Sequence, residues 1–125
     1  MFALHRSHRL KKNEHFQAVF QKGSSAANKQ FIVYTSRQEG QAAFRVGISV
    51  SKKIGIAVTR NRVKRLIRAA IAQLEDVIQP GLDLVVIARP GVETMTLNEI
   101  VQSLKHVMKR AKVLKQEAVH NEKRG

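Results

Sequence analysis

The sequence contains no cysteine and no tryptophan, and its 125 residues include two prolines, one tyrosine and nine acidic residues against 23 lysines and arginines. Each shortage excludes something. Without cysteine there is no disulfide scaffold, no thiolate zinc site and no thiol nucleophile. No apolar run approaches the roughly 18–20 residues of a membrane span. The N-terminal stretch MFALHRSHRLKK lacks the apolar core of a signal peptide. The carboxylates form no cluster of the kind that two-metal nucleases need for their ions. His5, His8, His15, His106 and His120 are scattered, show no HExxH spacing and read as ordinary surface histidines. Gly47, Gly55, Gly81 and Gly91 stand alone, so neither a Walker loop nor a dinucleotide fingerprint is present.

What is abundant is positive charge, a formal net of +14, and it is unevenly placed. Residues 1–74 hold 15 lysines and arginines against two acids, whereas residues 75–125 hold eight against seven. Between Glu39 and Glu75 eight basic residues occur without a carboxylate. A surface whose only task is solubility interleaves both signs, because like charges repel. Such a surplus points to a polyanion, and nucleic acid is the default polyanion. With 43% apolar residues the chain can build a core. Its length fits one domain, residues 1–125, with a polar arm at about 1–8 and a tail at about 116–125 expected to be flexible.

The periodicities predict an α/β sandwich in the order α-β-β-α-β-α, with helices packed on a small central sheet. A first helix runs from a cap at Asn13 to about Lys22, stopped by Gly23, with Phe16, Val19 and Phe20 on one face. Residues 24–29 read as a loop and 30–36 as a strand. In 44–51, Phe44, Val46, Ile48 and Val50 alternate with Arg45, Gly47, Ser49 and Ser51, a small polar face suited to lie under a ligand. A second helix, from 57–59 to 77–78, carries the stripe Val63, Leu66, Ile67, Ala70, Ile71 and Leu74, with Pro80-Gly81 as its stop. The unbroken apolar run at 83–88 marks a strand covered on both faces. A last helix opens at the capping box Thr96-x-x-Glu99 and buries Leu97, Ile100, Val101, Leu104, Val107, Met108, Ala111 and Leu114.

The run 52–68, KKIGIAVTRNRVKRLIR, concentrates seven basic residues and no acid. At about 100° per residue, Asn61, Lys64, Arg65 and Arg68 point away from the apolar stripe, with Arg60 and Arg62 flanking the helix entry. Guanidinium forks suit phosphate, and Asn61 can pair with a base edge or a 2′-hydroxyl. Phe31 and Phe44 fit the core. Phe16, Phe20 and Tyr34 fit either core packing, which spacing alone favours, or a ring-floored groove for a single strand.

The segments RLKKNEHFQAVFQKG (9–23), ANKQFIVYT (27–35), FRVGISVSKKIGIAVTRNRVKRLIR (44–68) and DLVVIARP (83–90) resemble the protein subunit of bacterial ribonuclease P, in the family's order and through residues 9–114. The most specific element is Arg60-Asn61-Arg62, the "RNR" motif, preceded by SKKIG. The resemblance implies a cytoplasmic ribonucleoprotein that removes the 5′ leader of precursor tRNA. The resemblance further implies that the large RNA performs the hydrolysis with Mg2+ bound mainly by RNA, and it assigns no catalytic residue and no metal ligand to the protein. It implies that Arg60, Asn61, Arg62, Lys64, Arg65 and Arg68 meet the ribonuclease P RNA. It places the leader in a cleft with Phe16, Phe20 and Tyr34, beside Lys52 and Lys53. It calls for no membrane and no protein partner. Ile56 departs from the polar or basic residue that the family often carries there. The usual strand–helix–strand crossover is right-handed, whereas this family implies a left-handed one. Two rivals remain at this point: a small ribosomal or assembly protein that binds RNA without affecting cleavage, and a nuclease with its own active site.

Overall fold

The computed structural model describes residues 8–10, 12–38 and 40–115, so the expected arm, apart from His8, and the expected tail lie outside the described residues. The elements are α1 (Asn13–Lys22), β1 (Ser24–Ala27), β2 (Phe31–Arg37), β3 (Arg45–Ser49), α2 (Ala57–Leu74), β4 (Leu82–Ala88) and α3 (Leu97–Arg110). They form one small α+β domain with a four-stranded mixed sheet in the order β1-β2-β4-β3. β1 and β4 each pair antiparallel with β2, while β3 runs parallel to β4, with α2 as the connection between those two neighbours.

Strand alternation divides the sheet's side chains between two layers. Phe31, Val33, Val46, Leu84 and Val86 pack with Val63, Ile67 and Ile71 of α2 and with Ile100, Leu104 and Met108 of α3. Phe31 and Phe44 are both in this core, as their sequence context predicts. The opposite face is covered in part by α1, through a smaller cluster of Leu10, Val19 and Val85 against Phe16, Tyr34 and Ile87. β4 lies between β2 and β3 and is buried at six of its seven positions, which explains its unbroken apolar run. Its one acid, Asp83, sits opposite Arg45 in the β3–β4 register, and both its carboxylate oxygens accept from one guanidinium edge, from Nε at 2.9 Å and Nη2 at 2.7 Å. That buried pair fastens the edge strand to the centre.

Several expectations need correction. Residues 24–27 are a strand, not a loop: Ser and Ala have weak strand preference, and the conformation comes from pairing with β2. Asn13 is the first helical residue of α1, and the capping position falls on Lys12, which makes no side-chain cap. Gly23 ends α1 in an extended conformation, where the lack of a side chain matters because a Cβ would collide with Thr35 O and Val19 O. α2 ends at Leu74 in a short 3-10 turn, well before Pro80. The capping box at Thr96 and Glu99 forms as expected. α3, however, stops at Arg110, because Lys112 takes a left-handed φ of 60° and redirects the chain. Leu114 is buried by bridging to Ile78, not by helical periodicity.

Candidate nucleic-acid interface

Cross-strand register sets one line of residues on the α1 face of the sheet: Tyr34 opposite Val85, and Val85 opposite Gly47. α1 runs over this line and presents Phe20, Val19 and Phe16 to it at i, i+3, i+4 spacing. Phe20 meets Tyr34 edge-on, with ring centroids 5.0 Å apart and planes at 86°. Val19 is fully buried in the small cluster with Val85. Phe16 fills the space above Gly47, where any Cβ would run into its ring. The three aromatic candidates therefore divide: Phe16 and Tyr34 are half-buried, while Phe20 keeps 41% of its surface exposed. The small face of β3 is open only in part, since Phe16 occupies its centre at Gly47. The next line of the same face, Ile32–Ile87–Ser49, is partly uncovered beside α1.

On α2, Asn61, Lys64, Arg65 and Arg68 line one shallow depression together with Val58. Arg68 also lines a second depression, formed with Arg9, Leu10, Phe16, Val46, Gly47 and Ile48. The cationic helix face and the edge of the α1 groove thus share one guanidinium. Partial burial and, second, the positive charge of Arg9 push the Arg68 guanidinium below its ordinary value. An arginine remains charged at neutral pH even so, and two cations held near each other favour an anion between them.

Arg60 and Arg62 lie apart from that depression. Arg62 donates to the carbonyl of Glu93 at 2.6 Å, tying α2 to the turn before α3. Arg60 is half-buried, and its Nε is shielded from solvent without a partner. Lys52 and Lys53 are exposed on a 3-10 turn between β3 and α2. Gly55 closes that turn with φ of 155°, a conformation that disfavours a side chain. Beyond it Ile56 and Val58 stand 73% and 74% exposed, an apolar entry to an otherwise cationic helix.

Sequence reading missed Arg9 as a neighbour of Arg68 and Gly47 as the seat of Phe16, since only the fold brings these pairs together. It also misjudged His8. That ring stacks on Phe44 at a centroid distance of 4.1 Å, and its nitrogens lie 2.8 Å from Phe44 O and 3.1 Å from a Glu75 carboxylate oxygen. Among the described residues no group of three His, Asp or Glu side chains is placed to hold a metal, and no helix is long and apolar enough to cross a membrane.

The family model for ribonuclease P matches residues 4–112. The chain belongs to the ribonuclease P protein family. A ribonuclease P protein component from Brevibacillus brevis is 76% identical over 121 residues, covering 97% of this chain and 96% of the relative. One from Bacillus cereus strain G9842 is 57% identical over 106 residues, covering 85% and 92%. Among solved structures, the Staphylococcus aureus RNase P protein superimposes with a TM-score of 0.79 at 47% identity, covering 86% of this chain and 98% of that one. The Thermotoga maritima protein gives 0.73 at 30% identity, covering 82% and 96%. This family member is accordingly a protein component of a tRNA-processing endoribonuclease and works with an RNA partner.

Proposed function

We propose that this ribonuclease P protein seats the ribonuclease P RNA on α2, through Arg60, Asn61, Arg62, Lys64, Arg65 and Arg68. In the same reading it holds the single-stranded 5′ leader of precursor tRNA in the groove of Phe16, Phe20 and Tyr34, beside Lys52 and Lys53. Hydrolysis belongs to the RNA, with Mg2+ held mainly by RNA, and the protein acts in the cytoplasm by neutralising charge where two polyanions meet. The observation that carries the reading is Arg68, which lines both the cationic depression of α2 and the depression beside Phe16. One guanidinium there can serve phosphates of both RNAs, lowering their mutual repulsion. Rings at the groove suit bases, because stacking tolerates any sequence while cations follow the backbone.

The test is cleavage of a 5′-extended precursor tRNA at low Mg2+ by the protein alone, a bacterial ribonuclease P RNA alone, and both together. Efficient cutting at the mature 5′ end by the mixture only is the expected result. Cutting by the protein alone, or an RNA whose rate the protein leaves unchanged, contradicts the proposal.

A further inference from the structure

The C-terminal half of the chain is nearly neutral on paper, but four of its acids are engaged away from a group of its cations. Asp83 is paired with Arg45, and Glu75 lies against His8. Glu93 accepts from the amide of Gly91, and Glu99 from that of Thr96. Meanwhile the β1–β2 turn gathers positive side chains from three distant parts of the sequence. Arg110, in the last turn of α3, donates through Nη1 to Ala27 O at 2.9 Å. Arg89, just past β4, donates through Nη1 to Asn28 O, also at 2.9 Å. Two guanidiniums are thus drawn onto neighbouring peptide oxygens, and neither has a carboxylate within ion-pair distance among the described residues. Lys29 is exposed on the same turn, and His106 lies 3.5 Å from the Asn28 amide.

The turn itself is fixed. Asn28 Oδ1 accepts from the amides of Gln30 and Phe31 at 3.1 and 2.8 Å, while its Nδ2 donates to Ser103 O at 2.9 Å and to Ser103 Oγ at 3.1 Å. Ser103 Oγ donates in turn to Gln30 Oε1 at 2.8 Å. A guanidinium has five N–H donors, so one bond to a carbonyl orients each arginine and leaves donors for a ligand. Cations held this way repel one another unless an anion joins them. For the two arginines, part of the side-chain freedom is already given up before binding.

We propose that Lys29, Arg89, His106 and Arg110 form a second binding surface for RNA phosphates, separate from the α2 face. α3 lies over β1 and β2, whereas α2 lies over β3, so the two surfaces stand toward opposite edges of the sheet. The protein then clamps two RNA segments rather than docking on one. The second surface does not depend on which RNA occupies α2.

The experiment titrates the full-length protein onto fluorescein-labelled ribonuclease P RNA in the presence of precursor tRNA, across a range of salt concentrations. Because Arg89 and Arg110 also hold the turn, the decisive variant is Lys29→Glu, which leaves every hydrogen bond named above intact; Arg110→Ala is the second. Lys29→Glu should weaken binding at least threefold and flatten the slope of log affinity against log salt by about 0.7 per lost contact. Its unfolding temperature should stay unchanged. The loss should add to that of Arg65→Ala, as expected for distant sites. If Lys29→Glu binds like the parent protein while Arg65→Ala is weakened, the second surface is overturned and the turn is only a structural tie. If Lys29→Glu is weakened and Arg65→Ala is not, the second surface stands and the α2 reading falls.

Discussion

The ring of Phe16 occupies the space in which a side chain at Gly47 would stand. The contact seats α1 on β3 and sets the edge of the groove that runs beside Phe20 and Tyr34. Replacing Gly47 with Ala should therefore destabilise the protein by about 1–3 kcal/mol, as overpacking generally does, and lower the melting temperature by several degrees. In a Phe16→Ala background the same change should have much less effect, because the colliding ring is gone. Thermal denaturation of the four proteins of this cycle measures the coupling directly, and equal effects in both backgrounds would sink the account.

Arg65 is exposed and lines the same depression as Asn61, Lys64 and Arg68. Arg65→Ala should change stability by no more than about 0.5 kcal/mol, as for most surface positions. Binding to ribonuclease P RNA should nevertheless weaken, and its salt slope should fall by about 0.7–0.9 if one phosphate contact is lost. An unchanged slope in a salt series counts against α2 as the docking face.

The capping box of α3 gives a prediction about pH. Hydrogen bonding from the Thr96 amide first, and from the Thr96 side chain second, holds the Glu99 carboxyl below its ordinary value. A depressed folded-state value means that this contribution is complete above the unfolded value, about 4.3. It fades as pH falls through the folded value. Glu99→Ala should accordingly be less stable than the parent at pH 7, with the gap narrowing below about pH 4. Thr96→Ala should cost about 1 kcal/mol at neutral pH. Denaturant melts at several pH values check both, and a gap that widens in acid contradicts the assignment.

The parts of the fold visible in the sequence are those whose burial repeats at short range. Val63, Ile67, Ala70, Ile71 and Leu74 mark α2 by a 3.6-residue period, and the run through Val85 marks a strand covered on both sides. Thr96 and Glu99 act within one helical turn, so their box could be read directly. β1 was hidden because Ser24–Ala27 is held by its partner strand and by Asn28, not by its own preference. The end of α3 was hidden because Val113 and Leu114 continue an apolar rhythm after Lys112 has turned the chain. In the candidate site, Asn61, Lys64, Arg65 and Arg68 were legible as one helix face. The destination of Arg62 at Glu93 and the seat of Phe16 on Gly47 were not, since each depends on a residue about 30 positions away.

The most direct test of the account compares the affinity of the reconstituted ribonucleoprotein for precursor tRNA and for mature tRNA, with the parent protein and with Phe20→Ala. Phe20 is the most exposed of the three groove rings, so its loss should leave the core intact. Removing a stacking ring is worth about 1–3 kcal/mol per base, roughly 5- to 150-fold in affinity. The account predicts that loss for the precursor and no change for mature tRNA. Equal losses for both, or none for the precursor, would contradict the claim that this groove holds the leader.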